Sequence, residues 1–144
     1  MAVNGTESRF QDMTLKANAL VLNEVTVTAT AAEINAAADM TGTTQELTAS
    51  GAVTAGVKTL RLNHATVAIA ATMVATEHPG FFSVVDTSAS GTAAHTLTLT
   101  GGTFNGTNTI ATLNAPAEAL LVYFDAAGVG TVITNSGAVA LSGP

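Results

Sequence analysis

The sequence predicts a mainly β protein: a small β-sandwich or barrel with a short N-terminal helix and an extended N-terminal arm. Three observations predict it. Ala and Thr dominate the chain, and charged residues make up only 10% of its 144 residues. Short runs alternate apolar and polar residues with a period of two, as half-buried strands do. Gly- and Asn-containing turn signals separate those runs at intervals of roughly 8–12 residues, the spacing of small all-β folds.

Each element follows in order. Residues 1–23 hold two of the four basic residues, Arg9 and Lys16, and the apolar Phe10, Met13, Leu15 and Leu20. This segment reads as an extended arm whose few apolar anchors order by lying on a neighbour. Residues 24–50 read as a strand, a short helix and a linker. Val25-Thr26-Val27-Thr28 alternates as a strand does. Thr30-Ala31-Ala32-Glu33 matches a capping box, and the Ala-rich run to Met40 predicts a helix over 31–40 with Gly42 as its stop. Residues 41–51, with the single apolar Leu47, read as a linker or ordered loop.

Residues 51–144 read as the β domain. Strand patterns fall at 53–57, 58–62, 66–72, 80–86, 94–100, 109–113, 118–124, 131–134 and 138–141. The clearest is His95-Thr96-Leu97-Thr98-Leu99-Thr100, which puts Leu97 and Leu99 on one face and the threonines on the other. The run 118–124 is the most apolar and reads as a central strand. Gly101-Gly102, Asn105-Gly106 and Asn135-Ser136-Gly137 read as turns, with Phe104 pointing into the core.

Composition excludes several functions. The formal net charge is −6, and the four basic residues Arg9, Lys16, Lys58 and Arg61 form no patch. Nucleic acid and anionic membrane surfaces are therefore poor partners. There is no cysteine, so disulfides and thiolate metal sites are out. No apolar run approaches the 18 or so residues of a membrane span, and the polar start has no signal-peptide pattern. A soluble protein made in the cytoplasm is expected. A charged fraction of 10% is well below the roughly 25% of an average domain. This points to a surface largely covered by partners in an assembly. The competing reading is a secreted monomer with a Thr-rich β surface.

No residue pattern argues for catalysis. Ser88-Ala89-Ser90-Gly91 is not the Gly-x-Ser-x-Gly of a hydrolase elbow and reads as a turn. His64, His78 and His95 lie 14 and 17 residues apart, which fits no zinc motif. They read as strand-end residues bonded to turns. Asp86 and Asp125 each end a strand at an Asx-turn position. Gly101-Gly102-Thr103-Phe104-Asn105-Gly106 has no following Lys and lacks a phosphate loop's mechanics. With no Trp and one Tyr, the aromatic platforms of a lectin or glycosidase are missing. No catalytic residue, cofactor or metal is expected.

Gly91-Thr92-Ala93-Ala94-His95-Thr96-Leu97-Thr98-Leu99, Gly102-Thr103-Phe104-Asn105-Gly106-Thr107-Asn108, Asn114-Ala115-Pro116-Ala117-Glu118 and Asn135-Ser136-Gly137-Ala138-Val139 together resemble a β module of tailed-bacteriophage virion proteins. Val27-Thr28-Ala29-Thr30-Ala31-Ala32-Glu33-Ile34-Asn35 resembles segments of phage structural proteins. About half the chain carries the resemblance. It implies a head decoration (capsid cement) protein on the outer capsid surface of a virion. The implied partners are the major capsid protein and two sister copies in a homotrimer. Phe10, Met13, Leu15 and Leu20 of the arm would be the capsid contacts. A head- or tail-fibre or baseplate module is the second reading, and an enzyme or secreted adhesin the third.

Overall fold

A computed structural model of the chain describes residues 21–22, 25–26, 43–89 and 93–143. The chain divides into two units, Met1–Met40 and Thr41–Pro144. In the first, β1 (Val21–Leu22) and β2 (Val25–Thr26) pair antiparallel. The end of the predicted arm is thus a strand. The rest of the arm, with Phe10, Met13, Leu15 and Leu20, and the predicted helix over 31–40 lie outside the described residues.

The second unit is β, as predicted, and has two sheets. Its strands are β3 (Thr43–Leu47), β4 (Gly51–Ala52), β5 (Val57–Leu62), β6 (Ala70–Val74), β7 (Gly80–Asp86), β8 (His95–Thr100), β9 (Thr103–Phe104), β10 (Ile110–Leu113), β11 (Ala119–Phe124), β12 (Val129–Ser136) and β13 (Ala140–Ser142). A single 3-10 turn, Ala75–Glu77, precedes β7. The six-stranded sheet runs β3-β5-β7-β11-β12-β9 and the five-stranded sheet β13-β10-β8-β6-β4.

The arrangement is solenoid-like and not clearly the sandwich or barrel that the turn spacing suggests. From β3 to β8 the chain alternates between the sheets, so that it winds like a solenoid for three turns. Successive turns stack in parallel: β3 on β5 and β5 on β7 in one sheet, β4 on β6 and β6 on β8 in the other. The direction then reverses. β10 pairs antiparallel with β8, β11 with β7, β12 with β11 and β13 with β10. The three parallel turns are therefore closed at one end by strands that return against them.

The segment 41–51 is a correction. Composition suggests a linker, yet Thr43–Leu47 is the first strand of the six-stranded sheet. Its side chains explain why a polar run makes a strand. Gln45 donates to the Ala52 carbonyl and accepts from the Thr54 amide, supplying bonds across a corner. Glu46 pairs with Arg61 on β5 at 3.3 Å. The apolar pattern that marks later strands is absent because this strand lies at a sheet edge.

One cluster fills the space between the sheets. β5 gives Leu60 and Leu62, β6 gives Met73, β7 gives Phe82 and Val84, and β8 gives Leu97 and Leu99. β10 adds Leu113, and β11 adds Leu120, Val122 and Phe124. Phe124 packs against Phe82 and Phe104 with ring centroids 6.3 and 6.1 Å apart. Each such side chain contributes roughly 1.5–3 kcal/mol by leaving water. Phe104 is buried as the sequence predicts, carried by the Asn105-Gly106 turn, where both residues have positive φ. At Gly102 a Cβ would lie 2.2 Å from the Gly128 carbonyl oxygen, so only glycine allows the two backbones to cross there.

Two outcomes check this architecture. Leu120→Asp places a carboxylate in the middle of β11, at a position 1% exposed. The cost of several kcal/mol should abolish the cooperative thermal transition seen by circular dichroism; a folded variant would contradict the strand's placement. Ala117 has φ of 66°, a left-handed conformation that disfavours a Cβ. Ala117→Gly should raise the urea midpoint, a gain of up to about 1 kcal/mol, and a loss would show that the turn is not strained.

Candidate functional site

The alternation of the strands creates two kinds of polar or exposed feature: a buried polar corner and an exposed aromatic face. The corner brings together a serine, a histidine and an aspartate. Asp86 ends β7, and its Oδ1 accepts from the Ser88 amide at 2.8 Å and the Ser88 hydroxyl at 2.6 Å. This is the Asx turn that the sequence predicts. His95, at the start of β8, puts Nε2 3.8 Å from the same oxygen. Asp86, Ser88 and His95 are all buried.

Ser, His and Asp are thus together, but not in the order of a hydrolytic triad. Such a triad needs the serine hydroxyl bonded to histidine and the carboxylate behind it. Here the carboxylate takes the serine proton donor, and His95 Nδ1 accepts the Ile69 amide at 3.0 Å. That bond fixes the ring proton on Nε2. In this arrangement the Ser88 hydroxyl is bonded to a carboxylate and not to the imidazole. The His95 bond ties the start of β8 to Ile69, and the Asp86 bonds shape the turn at Ser88.

The other histidines also hold corners. His78 is buried, and its Nδ1 donates to the Val57 carbonyl at 2.9 Å. The Gly56 amide donates to the Glu77 carbonyl beside it. His64 Nδ1 accepts the amides of Thr66 and Val67. The three histidines are therefore not brought together, and each bonds a turn or corner as expected. Glu118, also buried, accepts the amides of Asn114 and Ala115 through Oε2 and so shapes the turn before β11. Asp125 accepts the amides of Ala127 and Val129, the second predicted Asx turn.

The exposed face lies on the six-stranded sheet. Phe81 on β7 and Tyr123 on β11 are cross-strand neighbours. They are 59% and 46% exposed, and their rings meet edge to face at 5.3 Å. On β12, Val129 and Ile133 are also exposed. Ile133 is the extra residue where the β11–β12 register shifts. These side chains make this the apolar face of the six-stranded sheet. The sequence held the signal: Phe81-Phe82 and Tyr123-Phe124 are adjacent pairs within strands, so one member of each must point away from the core.

Among the described residues, no group of three or more His, Cys, Asp or Glu side chains could hold a metal ion. No helix described is long and apolar enough to cross a membrane. No protein-family model, curated protein or solved structure matches the chain.

The corner yields a stability test. Asp86→Ala removes the acceptor of two buried donors, the amide and the hydroxyl of Ser88. Orphaned buried donors cost about 1–3 kcal/mol each, so the urea midpoint should fall markedly. An unchanged midpoint would show that the cluster contributes nothing to the fold.

Proposed function

We propose that the chain is a virion structural protein that decorates and stabilises the outer surface of a phage capsid, as a trimer bridging major capsid subunits. The exposed Phe81–Tyr123 face on a charge-poor, wound β body carries this reading. Its aromatic and branched side chains supply contact area, and nothing in the buried corner supplies chemistry. In this role the two sheets act as a small sandwich, stiff enough to transmit force between capsid subunits. Phe10, Met13, Leu15 and Leu20 would anchor the arm of residues 1–23 on the capsid. Contacts made in triplicate gain strength through effective concentration. The protein would need no cofactor, nucleic acid or membrane.

A phage head- or tail-fibre or baseplate module is the second reading. The three parallel turns favour it, because stacked turns are how extended rods are built.

Co-sedimentation with purified heads that lack the chain tests the first reading. Saturable binding of the full chain is expected, with weakened or lost binding after deletion of residues 1–20 and an unchanged circular dichroism signal from the β unit. Absence of binding to heads contradicts the decoration role. Full affinity after the deletion contradicts the role of the arm.

A further inference from the structure

An asparagine followed by glycine is open to attack by its own backbone, because glycine puts no Cβ beside the following amide. The described asparagines Asn63, Asn105, Asn108, Asn114 and Asn135 are followed by His64, Gly106, Thr109, Ala115 and Ser136. Among them Asn105 alone precedes a glycine. Both members of this pair are exposed, and a Cβ built on Gly106 meets nothing within 4 Å. Among the described residues, no acceptor takes the Gly106 amide. The nucleophile is therefore open, while the asparagine is held. The Asn105 amide donates to the Gly130 carbonyl at 2.6 Å, and its Oδ1 accepts the Val132 amide at 2.9 Å. Its φ is 50°, and in the left-handed region ψ lies at about +30 to +60°. With that ψ the Gly106 nitrogen lies across the Cα–C bond from Cβ, turned away from the side-chain amide carbon.

We propose that Asn105 is a self-modification site kept silent by the closed Phe104–Asn108 turn, and that its deamidation through a succinimide needs this turn to open. In the reaction the Gly106 nitrogen loses its proton and attacks Cγ of Asn105. A C–N bond forms, and the Cγ–Nδ2 bond breaks with release of ammonia. Water then opens the five-membered ring at either carbonyl, which leaves aspartate or isoaspartate at position 105. One water is consumed and one ammonia released, with no oxidant or cofactor. The attack requires rotation about Cα–C to bring the Gly106 nitrogen to the side of Cβ. That rotation breaks the bonds to Gly130 and Val132. It also pulls away the amides of Thr107 and Asn108, which donate to the Phe104 carbonyl at 3.1 and 3.0 Å. Isoaspartate carries the main chain through the side-chain carbon and lengthens the turn by one atom. The lengthened turn cannot hold Phe104 in the core against Phe124 and in register with Gly130 at once. The modification thus loosens the pairing of β9 with β12 irreversibly, and it advances only while the turn is open. It stands on the turn alone and is independent of the decoration role.

Peptide mapping by mass spectrometry of the full chain, held at mildly alkaline pH in native buffer and in guanidinium chloride, tests it. In denaturant Asn105 should convert faster than Asn63, Asn108, Asn114 and Asn135. In native buffer its conversion should slow on the order of 30-fold or more, since at least two hydrogen bonds must break before the attack. Phe104→Leu leaves Asn105 and Gly106 in place and weakens the turn's anchor, so it should speed the native conversion severalfold. Should that variant lose its circular dichroism signal, Phe124→Leu takes its place with the same expected effect. Asn105→Asp keeps an acceptor for the Val132 amide and should melt like the unaltered chain, whereas the purified isoaspartate fraction should melt at a lower temperature. Conversion in denaturant no faster at Asn105 than at the other asparagines overturns the site. Equal rates in native buffer and denaturant overturn the shielding, as does an anchor variant that folds and converts no faster. An isoaspartate fraction that melts like the unaltered chain overturns the loosening of β9.

Discussion

The wound unit depends on one constraint: main-chain pairing between successive turns must continue around the corners where the chain leaves one sheet for the other. Within the sheets the ladders do this without help. At the corners the backbone bends and its amides and carbonyls lose their regular partners, and an unpaired buried group costs about 1–3 kcal/mol. Backbone bonds span some of the gap, as from Asn63 to Leu47 and from Thr87 to Leu62. Side chains span the rest. Gln45 bridges to Ala52 and Thr54, His78 reaches Val57, and His95 takes the Ile69 amide. The two buried histidines therefore act at opposite corners and with opposite tautomers, one donating through Nδ1 and one accepting there. They hold turn on turn, which places the core residues of both sheets opposite each other.

The same winding decides what the outside can do. Because inward positions are taken by Leu, Val, Met and Phe, the alternate positions form two sheet faces. The strands of the five-stranded sheet contain no Asp, Glu, Lys or Arg, and across them Thr72, Thr98, Ile110 and Ser142 lie in one register row. The six-stranded sheet carries the aromatic pair and the bulge of β12. A body with so little charge on its broad faces suits contact over area rather than recognition by point charges. In the buried cluster, Asp86 Oδ1 holds the Ser88 turn and His95 Nδ1 the Ile69 amide, while Asp86 Oδ2 and His95 Nε2 have no hydrogen-bond partner among the described residues.

Much of this was legible in the residues, and what was hidden has physical reasons. β7, β8, β10 and β11 match the predicted runs within a residue or so, because both the apolar alternation and the turn residues mark them. The two Asx turns at Asp86 and Asp125 and the buried Phe104 were equally readable. β3 was not, since an edge strand stabilised by Gln45 and an ion pair has no apolar period. β4 and β9, two residues each, are too short to show one. Thr66 to Ala68 alternate like a strand but lie in a corner, where His64 holds the amides of Thr66 and Val67. The parallel winding was hidden for a deeper reason: turn spacing reports how often the chain reverses or bends, and not which sheet receives the next strand. Of the exposed aromatic face, the doublets Phe81-Phe82 and Tyr123-Phe124 gave the outward positions, while their meeting on neighbouring strands required the register.

We propose that this protein works through its faces, on the outside of a phage head. Cryo-electron microscopy of purified virions tests it most directly. The account predicts density for the β unit on the outer head surface at threefold or quasi-threefold positions. Density confined to the tail or to projecting fibres, or absence from the virion, would contradict it.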